Sequence, residues 1–161
     1  PVEDNVNYAY ISSGTWSLLG IETPEPIIND LSFKYNFTNE GSADGGFRFL
    51  KNITGFWIIQ ECKKFWDENV KLYSYDELTE IALKYGTANF RIDPDDSRFL
   101  KPGLIDDNMP DRIKAYYHET GQKIPKTPAE IVRGVIESLA EKYTETIKMI
   151  EEITGKFIKE I

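Results

Sequence analysis

The sequence contains one cysteine and one histidine in 161 residues. Cys62 alone excludes an internal disulfide and any zinc site built from several cysteines. A reducing cytoplasm is the compartment that such a cysteine content fits. The sequence also has no run of about 18 apolar residues, so it contains no segment typical of a transmembrane helix.

Positive charge is scarce as well. The chain has 19 lysines and arginines against 27 acidic residues, which gives a net charge of −8. Because nucleic acids and anionic membranes attract basic surfaces, we expect neither as a partner. The pattern Gly-x-x-x-x-Gly-Lys is missing, which excludes a P-loop. Apolar residues make up 40 % of the chain, enough for a sizeable core.

The first fifty residues are predicted to form antiparallel strands. Gly14-Thr15 separates two strand-like segments and favours a hairpin between them. Residues 41–46 form a glycine-rich turn, across which two further alternating segments are expected to pair. The predicted strands are Tyr8–Ser13, Trp16–Glu22, Phe33–Asn39 and Phe47–Leu50.

The rest of the chain is predicted to be helical, apart from an irregular stretch over residues 88–107. Ser74 with Glu77, and Thr127 with Glu130, have the spacing of capping boxes that open helices. The predicted helices are Thr54–Asp67, a helix from the Ser74 cap to Tyr85, Met109–Thr120, and a helix from the Thr127 cap to Thr154. An apolar stripe at helical spacing lines the last of these and consists of Ile131, Val135, Leu139, Tyr143, Ile147 and Ile150.

The predicted hairpin turn is the most suggestive local motif. In Ser12–Ser17, small hydroxyl residues flank a glycine. Backbone N–H groups and a hydroxyl at such a turn can approach an anion such as phosphate. The spacing by itself favours the plainer interpretation, an ordinary tight turn.

Four other polar sites in the sequence allow either a ligand-binding or a structural interpretation. Asn39-Glu40-Gly41 and Lys51-Asn52 fall at predicted strand ends, where side chains converge on ligands or simply cap a turn. Gln60 and Glu61 interrupt an apolar helix, so each needs a partner if buried, or lies on the solvated side of the helix.

Two further motifs are weaker. Asp93, Asp95 and Asp96 resemble the start of a calcium loop, but Arg98 and Leu104 occupy the positions that require glycine and glutamate. A solvated loop is the favoured interpretation, and no metal site is predicted. His118 has no serine or cysteine motif beside it, so a catalytic dyad is not expected.

Taken together, several segments resemble the carboxy-terminal domain of FGGY carbohydrate kinases, in particular of their rhamnulokinase branch. The resemblance is specific over the first sixty residues and looser afterwards. The segments that carry it are Ala9–Gly20 (AYISSGTWSLLG), Asn39-Glu40-Gly41, Phe49–Gln60 (FLKNITGFWIIQ), Asp93-Pro94, Phe99, Met109 and Glu137–Tyr143 (ESLAEKY).

The resemblance implies an α/β fold: a partial ribonuclease H-like, or actin-like ATPase, domain with antiparallel strands at the start followed by helices. It implies transfer of phosphate from ATP, with Mg²⁺, to a ketose such as L-rhamnulose in a cleft between two domains. It also implies that Thr15 and Gln60 contact the nucleotide and that Asn52 contacts the sugar.

The resemblance further implies that essential parts lie elsewhere. The catalytic aspartate and the magnesium carboxylate of the family precede this segment, and the Gly-Gly-Gly segment that holds adenosine follows it. We therefore expect residues 1–161 to be the front portion of the C-terminal kinase domain, incomplete at its C-terminal end and lacking the N-terminal domain. No catalytic residue is expected in this chain, which alone should be inactive and is expected to self-associate.

Two other classes of function are left open by the residues themselves. One is a non-catalytic carbohydrate-binding module that uses Trp16, Asn52 and neighbouring aromatics. The other is a helical interaction domain built on residues 127–154. The motifs favour the kinase over both.

Overall fold

The computed structural model of the chain describes residues 8–43, 45–104 and 106–161. Strands with one short helix come first and helices dominate afterwards, which confirms the mixed α/β prediction. The elements are β1 Tyr10–Ser13, β2 Trp16–Thr23, α1 Asp30–Lys34, β3 Thr38–Gly41, β4 Phe47–Thr54, α2 Trp57–Asn69, α3 Tyr75–Tyr85, a 3₁₀ turn Ser97–Phe99, α4 Met109–Glu119 and α5 Pro128–Thr154. Within those ranges, no helix has both the length and the apolar character that crossing a membrane requires.

The four strands form one sheet in the order β1-β2-β4-β3. β1 and β2 form the predicted hairpin, in which Ser13 lies opposite Ser17. β3 and β4 are also antiparallel, with Gly41 opposite Phe47. Asp44, in the predicted turn between them, lies outside the described residues.

Two glycines show how the central strands β2 and β4 run. A Cβ added to Gly20 would lie 2.6 Å from the Cβ of Leu50, and one added to Gly46 would lie 2.8 Å from the carbonyl oxygen of Thr23. Residue numbers therefore increase along β2 in the direction in which they decrease along β4, so this pair of strands is antiparallel too. Gly20 is buried and allows the close approach, because no side chain separates the two backbones there.

The chain forms two compact units. One comprises residues up to Ile53 together with Tyr143–Ile161, and the other comprises Thr54–Lys142. Fully buried apolar side chains form the core of each unit. Those of the first unit include Leu19, Ile21, Phe49, Leu50, Ile53 and Ile150, and those of the second include Ile58, Phe90, Phe99, Ile113, Tyr117 and Val135.

The prediction of a strand over Phe33–Asn39 was wrong. Asp30–Lys34 is a short helix, and β3 begins only at Thr38. Asn29 and Ser32 form a reciprocal capping box, in which each side chain bonds the other residue's backbone N–H. These local bonds outweigh the alternation of aromatic and polar residues that suggested a strand.

The boundary between β4 and α2 also differs from the prediction. β4 extends to Thr54 and α2 begins at Trp57, not at residue 54. Ile53 and Thr54 are β-branched and buried, which favours the extended conformation, and Gly55 separates the two elements. Asn52 therefore lies inside a strand, and Gln60 lies in the first turn of a helix.

The capping motifs located the later helices well. Ser74 and Glu77 form the predicted capping box of α3. Thr127 and Glu130 bond reciprocally at the start of α5. These helices match their predictions because their start signals depend on residues three apart in sequence.

The segment after α5 lies beside the first strand. Tyr8 and Glu160 form an isolated parallel bridge, and the N–H of Ala9 donates to the carbonyl oxygen of Glu160 at 2.9 Å. The pairing at this bridge is parallel, whereas the pairing of β1 with β2 is antiparallel. The residues just before β1 are thus in contact with chain from the other end of the same unit.

Candidate functional site

The turn between β1 and β2 presents Thr15 to solvent. The N–H of Gly14 donates to the carbonyl oxygen of Trp16 at 3.0 Å, which closes the turn. Thr15 is exposed, and no hydrogen bond from the described residues engages its hydroxyl. The turn therefore leaves a free hydroxyl beside a glycine, the arrangement that a phosphate oxygen can approach.

A cluster of hydroxyls lies at the base of this turn. Ser17 is fully buried, and its Oγ lies 2.6 Å from the hydroxyl of Tyr143 on α5. Ser13 Oγ lies at 3.5 Å from both of these oxygens, so its contacts are weaker. The only signs of this cluster in the sequence are two serines that flank the turn and a tyrosine within the apolar stripe.

Asn52 is exposed on β4, two residues before the strand ends. None of the described residues bonds its side-chain amide. Asn39 differs, because its Oδ1 accepts from the N–H of Ile27 and its Nδ2 donates to the carbonyl oxygen of Ile27, each at 2.9 Å. Asn39 thus serves the backbone, whereas the Asn52 amide is available to a ligand.

Lys51 and Glu40, also at predicted strand ends, have partners within the first unit. Lys51 Nζ donates to the carbonyl oxygen of Tyr35 at 2.8 Å. Glu40 pairs with Arg48 across the hairpin at 3.2 Å. The structural interpretation therefore holds for both residues.

The sheet places Thr15 and Asn52 toward the same end. Since Gly20 lies against Leu50 in an antiparallel pair, Leu18 lies near Asn52 on the neighbouring strand. Thr15 is three residues beyond Leu18, which at ~3.3 Å per residue puts it on the order of 10 Å further along. The first unit therefore places both residues toward the same end of the sheet.

Gln60 is the fourth residue of α2, in the second unit. It is half-buried and its side-chain amide has no partner among the described residues, although its N–H donates to the carbonyl oxygen of Phe56 at 2.9 Å. The amide lines an open groove of about 260 Å³ whose other lining residues are Lys63, Lys64, Asp67, Glu68 and Tyr75. A partner from outside the described residues can reach it there.

Charged side chains of both signs line this groove. Lys63 and Asp67 form an ion pair one turn apart on α2. The bond from Lys63, together with one from the N–H of Tyr73, holds the pKa of Asp67 below its usual range. The positive charge of Lys63 is therefore balanced by Asp67, and the groove near Gln60 offers amide and ammonium donors with little net charge.

The aspartates of residues 93–96 pair with basic side chains. Lys142 Nζ lies 2.9 Å from Asp93 and 3.1 Å from Asp95. Asp96 caps the 3₁₀ turn and pairs with Arg98 at 3.0 Å. Across residues 8–43, 45–104 and 106–161, no group of three or more potential ligands is arranged to hold a metal ion.

Cys62 and His118 are the single cysteine and the single histidine of the sequence, and neither is arranged for catalysis. Cys62 is fully buried, and burial raises the pKa of its thiol well above the usual value, so the reactive thiolate is suppressed. His118 is exposed near the end of α4. Met109 and Tyr117 on the same helix are fully buried and serve packing.

The sequence matches the family described as the FGGY family of carbohydrate kinases, C-terminal domain, over residues 9–161. It is 46 % identical over 154 residues to a rhamnulokinase of Oceanobacillus iheyensis, covering 94 % of this chain and 31 % of that protein. A rhamnulokinase of Bacillus subtilis is 44 % identical over 156 residues, covering 97 % of this chain and 31 % of that protein. The chain thus spans about a third of the length of these relatives.

Among solved structures, the fold is similar to that of a xylulose kinase from Bifidobacterium adolescentis. The TM-score is 0.52 at 15 % sequence identity, and the match covers 96 % of this chain and 28 % of that one. At this identity the likeness concerns the fold alone. It confirms the predicted α/β fold, with antiparallel strands at the start followed by helices.

Proposed function

Because the chain belongs to the FGGY family of carbohydrate kinases, as a C-terminal domain, we propose that it is the front portion of that domain in an ATP-dependent ketose kinase. The longer protein that contains it is called here the intact kinase. Identity above 40 % to rhamnulokinases along nearly the whole chain carries this proposal and favours L-rhamnulose as the ketose. No feature of the described residues favours a carbohydrate-binding module or a helical interaction domain.

The proposed incompleteness of the domain is supported at the far end of the chain. Glu160 bridges to Tyr8 in parallel, as the first residues of a further strand would. Phe157 and Ile161 are 70 % and 68 % exposed, so apolar surface lies open beside this bridge. In the intact kinase, further elements of the domain would cover it.

Thr15, Gln60 and Asn52 are the proposed contacts to substrates. Each presents a hydrogen-bonding group that no described residue engages. A threonine hydroxyl donates to a phosphate oxygen, and an amide both donates and accepts, which suits sugar hydroxyls as well as a nucleotide. We assign Thr15 and Gln60 to ATP and Asn52 to the sugar, while Mg²⁺ and the catalytic base are held by parts of the intact kinase outside this chain.

Steady-state kinetics of the intact kinase test the division between the two substrates. Asn52→Ala is expected to raise the KM for the ketose, and Gln60→Ala is expected to raise the KM for ATP. A lost bond in a closed cleft costs ~1–3 kcal/mol, so each increase should be roughly five- to a hundredfold. The measurement varies each substrate separately at saturation of the other.

Asn39→Ala is the matched control for Asn52→Ala. It removes an amide that bonds the backbone of Ile27, so it should lower the melting temperature and leave both KM values unchanged. If Asn52→Ala behaves in the same way, its amide is structural and the sugar assignment is wrong. An unchanged KM for ATP in Gln60→Ala would likewise remove that residue from the nucleotide site.

The chain alone is expected to self-associate and to show no ketose-dependent ADP formation. Exposed apolar residues beside the bridge between Tyr8 and Glu160 favour association between copies. Light scattering after size exclusion should report species larger than a monomer, and Phe157→Ser with Ile161→Ser should reduce them. Phe33→Ser, which changes a residue 89 % exposed on α1, serves as the control. ADP formation by the chain alone would contradict the proposed dependence on missing parts.

A further inference from the structure

The hydroxyl cluster at the base of the β1-β2 turn consists of Ser13, Ser17 and Tyr143, and it contains a buried hydrogen bond. Ser17 is fully buried, and a buried hydroxyl needs a hydrogen-bond partner. The Tyr143 hydroxyl supplies it at 2.6 Å, from a position 126 residues further along the chain. A bond this short and this remote in sequence ties the base of the turn to α5.

The bond acts close to Thr15. Ser17 is two residues after Thr15, and Ser13, its partner in the last pair of the hairpin, is two residues before it. Both serines contact the Tyr143 hydroxyl, Ser13 at the longer distance of 3.5 Å. The only residues between these two contacts are Gly14, Thr15 and Trp16, so the cluster fixes both strands from which the turn projects.

We propose that Tyr143 is a positioning residue for the nucleotide: its hydroxyl holds the β1-β2 turn so that the Thr15 hydroxyl meets a phosphate oxygen of ATP. This inference rests on the proposed role of Thr15. A glycine-containing turn is free to shift, and a displacement of about 1 Å at a reacting group costs up to roughly a hundredfold in rate. The long helix α5 supplies the rigid support that the turn lacks.

Removing only the hydroxyl tests the proposal in the intact kinase. Tyr143→Phe keeps the ring and is expected to lower kcat/KM for ATP roughly three- to tenfold, as loss of one hydrogen bond that orients the turn would. The KM for the ketose should stay within about twofold, since Asn52 lies on β4 and not on the hairpin. Ser17→Ala removes the other partner of the same bond and should reproduce the effect.

Tyr35→Phe is the matched control. The Tyr35 hydroxyl also bonds α5, donating to Glu152 at 2.8 Å, but at a site remote in sequence from the turn. It should leave ATP kinetics unchanged. If Tyr143→Phe and Tyr35→Phe have the same kinetic effect, the cluster only supports the fold and the proposal is overturned.

A double variant separates this proposal from the role of Thr15. If Tyr143 acts through Thr15, Tyr143→Phe should have little further effect once Thr15→Val is present. Full additivity would show that Tyr143 acts by another route, while the role of Thr15 stands. If Thr15→Val itself leaves ATP kinetics unchanged, the proposed nucleotide contact fails, and the positioning role fails with it.

Discussion

Thr15→Val in the intact kinase is expected to lower kcat/KM for ATP roughly ten- to a hundredfold. Valine has nearly the shape of threonine but cannot donate a hydrogen bond. A bond to a charged phosphate is worth ~1.5–3 kcal/mol, which gives the stated range. Because the hydroxyl has no partner among the described residues, its loss should cost little stability, and the kinetic effect should appear without a lower melting temperature.

Two further threonine variants serve as controls for Thr15→Val. Thr15→Ser keeps the hydroxyl and should retain most of the efficiency. Thr38→Val makes the same chemical change at an exposed position of β3, whose hydroxyl makes only a 3.4 Å contact to the carbonyl oxygen of Leu50. It should leave ATP kinetics unchanged. Equal efficiency of Thr15→Val and the unaltered kinase would remove Thr15 from the nucleotide site.

The local part of this site was predictable from sequence, since its signals lie within a few residues of one another. Gly14-Thr15 between two alternating segments predicted the hairpin, and the structure has it. The capping boxes at Ser74 and Thr127 predicted where α3 and α5 begin. Each of these features depends on residues at most three or four apart.

Features that depend on distant residues were not predictable in this way. Ser17 and Tyr143 form a hydrogen bond although they lie 126 residues apart in the sequence, and neither their residue types nor their spacing predicts this contact. The prediction also missed one local feature, α1, because its capping box has Ser32 where the familiar pattern has glutamate or glutamine. For Asn52 and Gln60, pattern alone allowed a structural role, and only the resemblance to a family pointed to substrates.

The bonds of Arg112 are another feature that the sequence analysis did not predict, although their partners lie only 5 to 14 residues away. Its guanidinium is largely buried at the start of α4, and all of its N–H donors are used. Both oxygens of Asp107 accept from it, at 2.8 and 2.7 Å. Three backbone carbonyls of the irregular stretch accept as well, those of Arg98, Lys101 and Pro102.

This one side chain holds the loop residues Lys101 and Pro102, which follow the 3₁₀ turn. The loop in turn donates the N–H of Gly103 to the buried carboxylate of Glu61 on α2 at 2.6 Å, next to Gln60. The Arg112 bonds also lower the pKa of Asp107. Because the folded-state pKa of this carboxyl is depressed, its stabilising effect is fully present above the unfolded pKa of about 3.9 and is lost as the pH falls from there through the lower folded-state pKa.

Arg112→Ala is therefore expected to destabilise the chain by about 2–4 kcal/mol, since three carbonyls lose a charged donor that water replaces only in part. Arg112→Lys should recover less than half of this, because an ammonium cannot reproduce the planar fork. Arg98→Ala removes the same charge from a more exposed guanidinium in the neighbouring 3₁₀ turn and should cost no more than about 1 kcal/mol. Urea denaturation of the three variants gives the comparison, and similar midpoints for Arg112→Ala and Arg98→Ala would show that the buried bonds to the loop add nothing to the stability of the second unit.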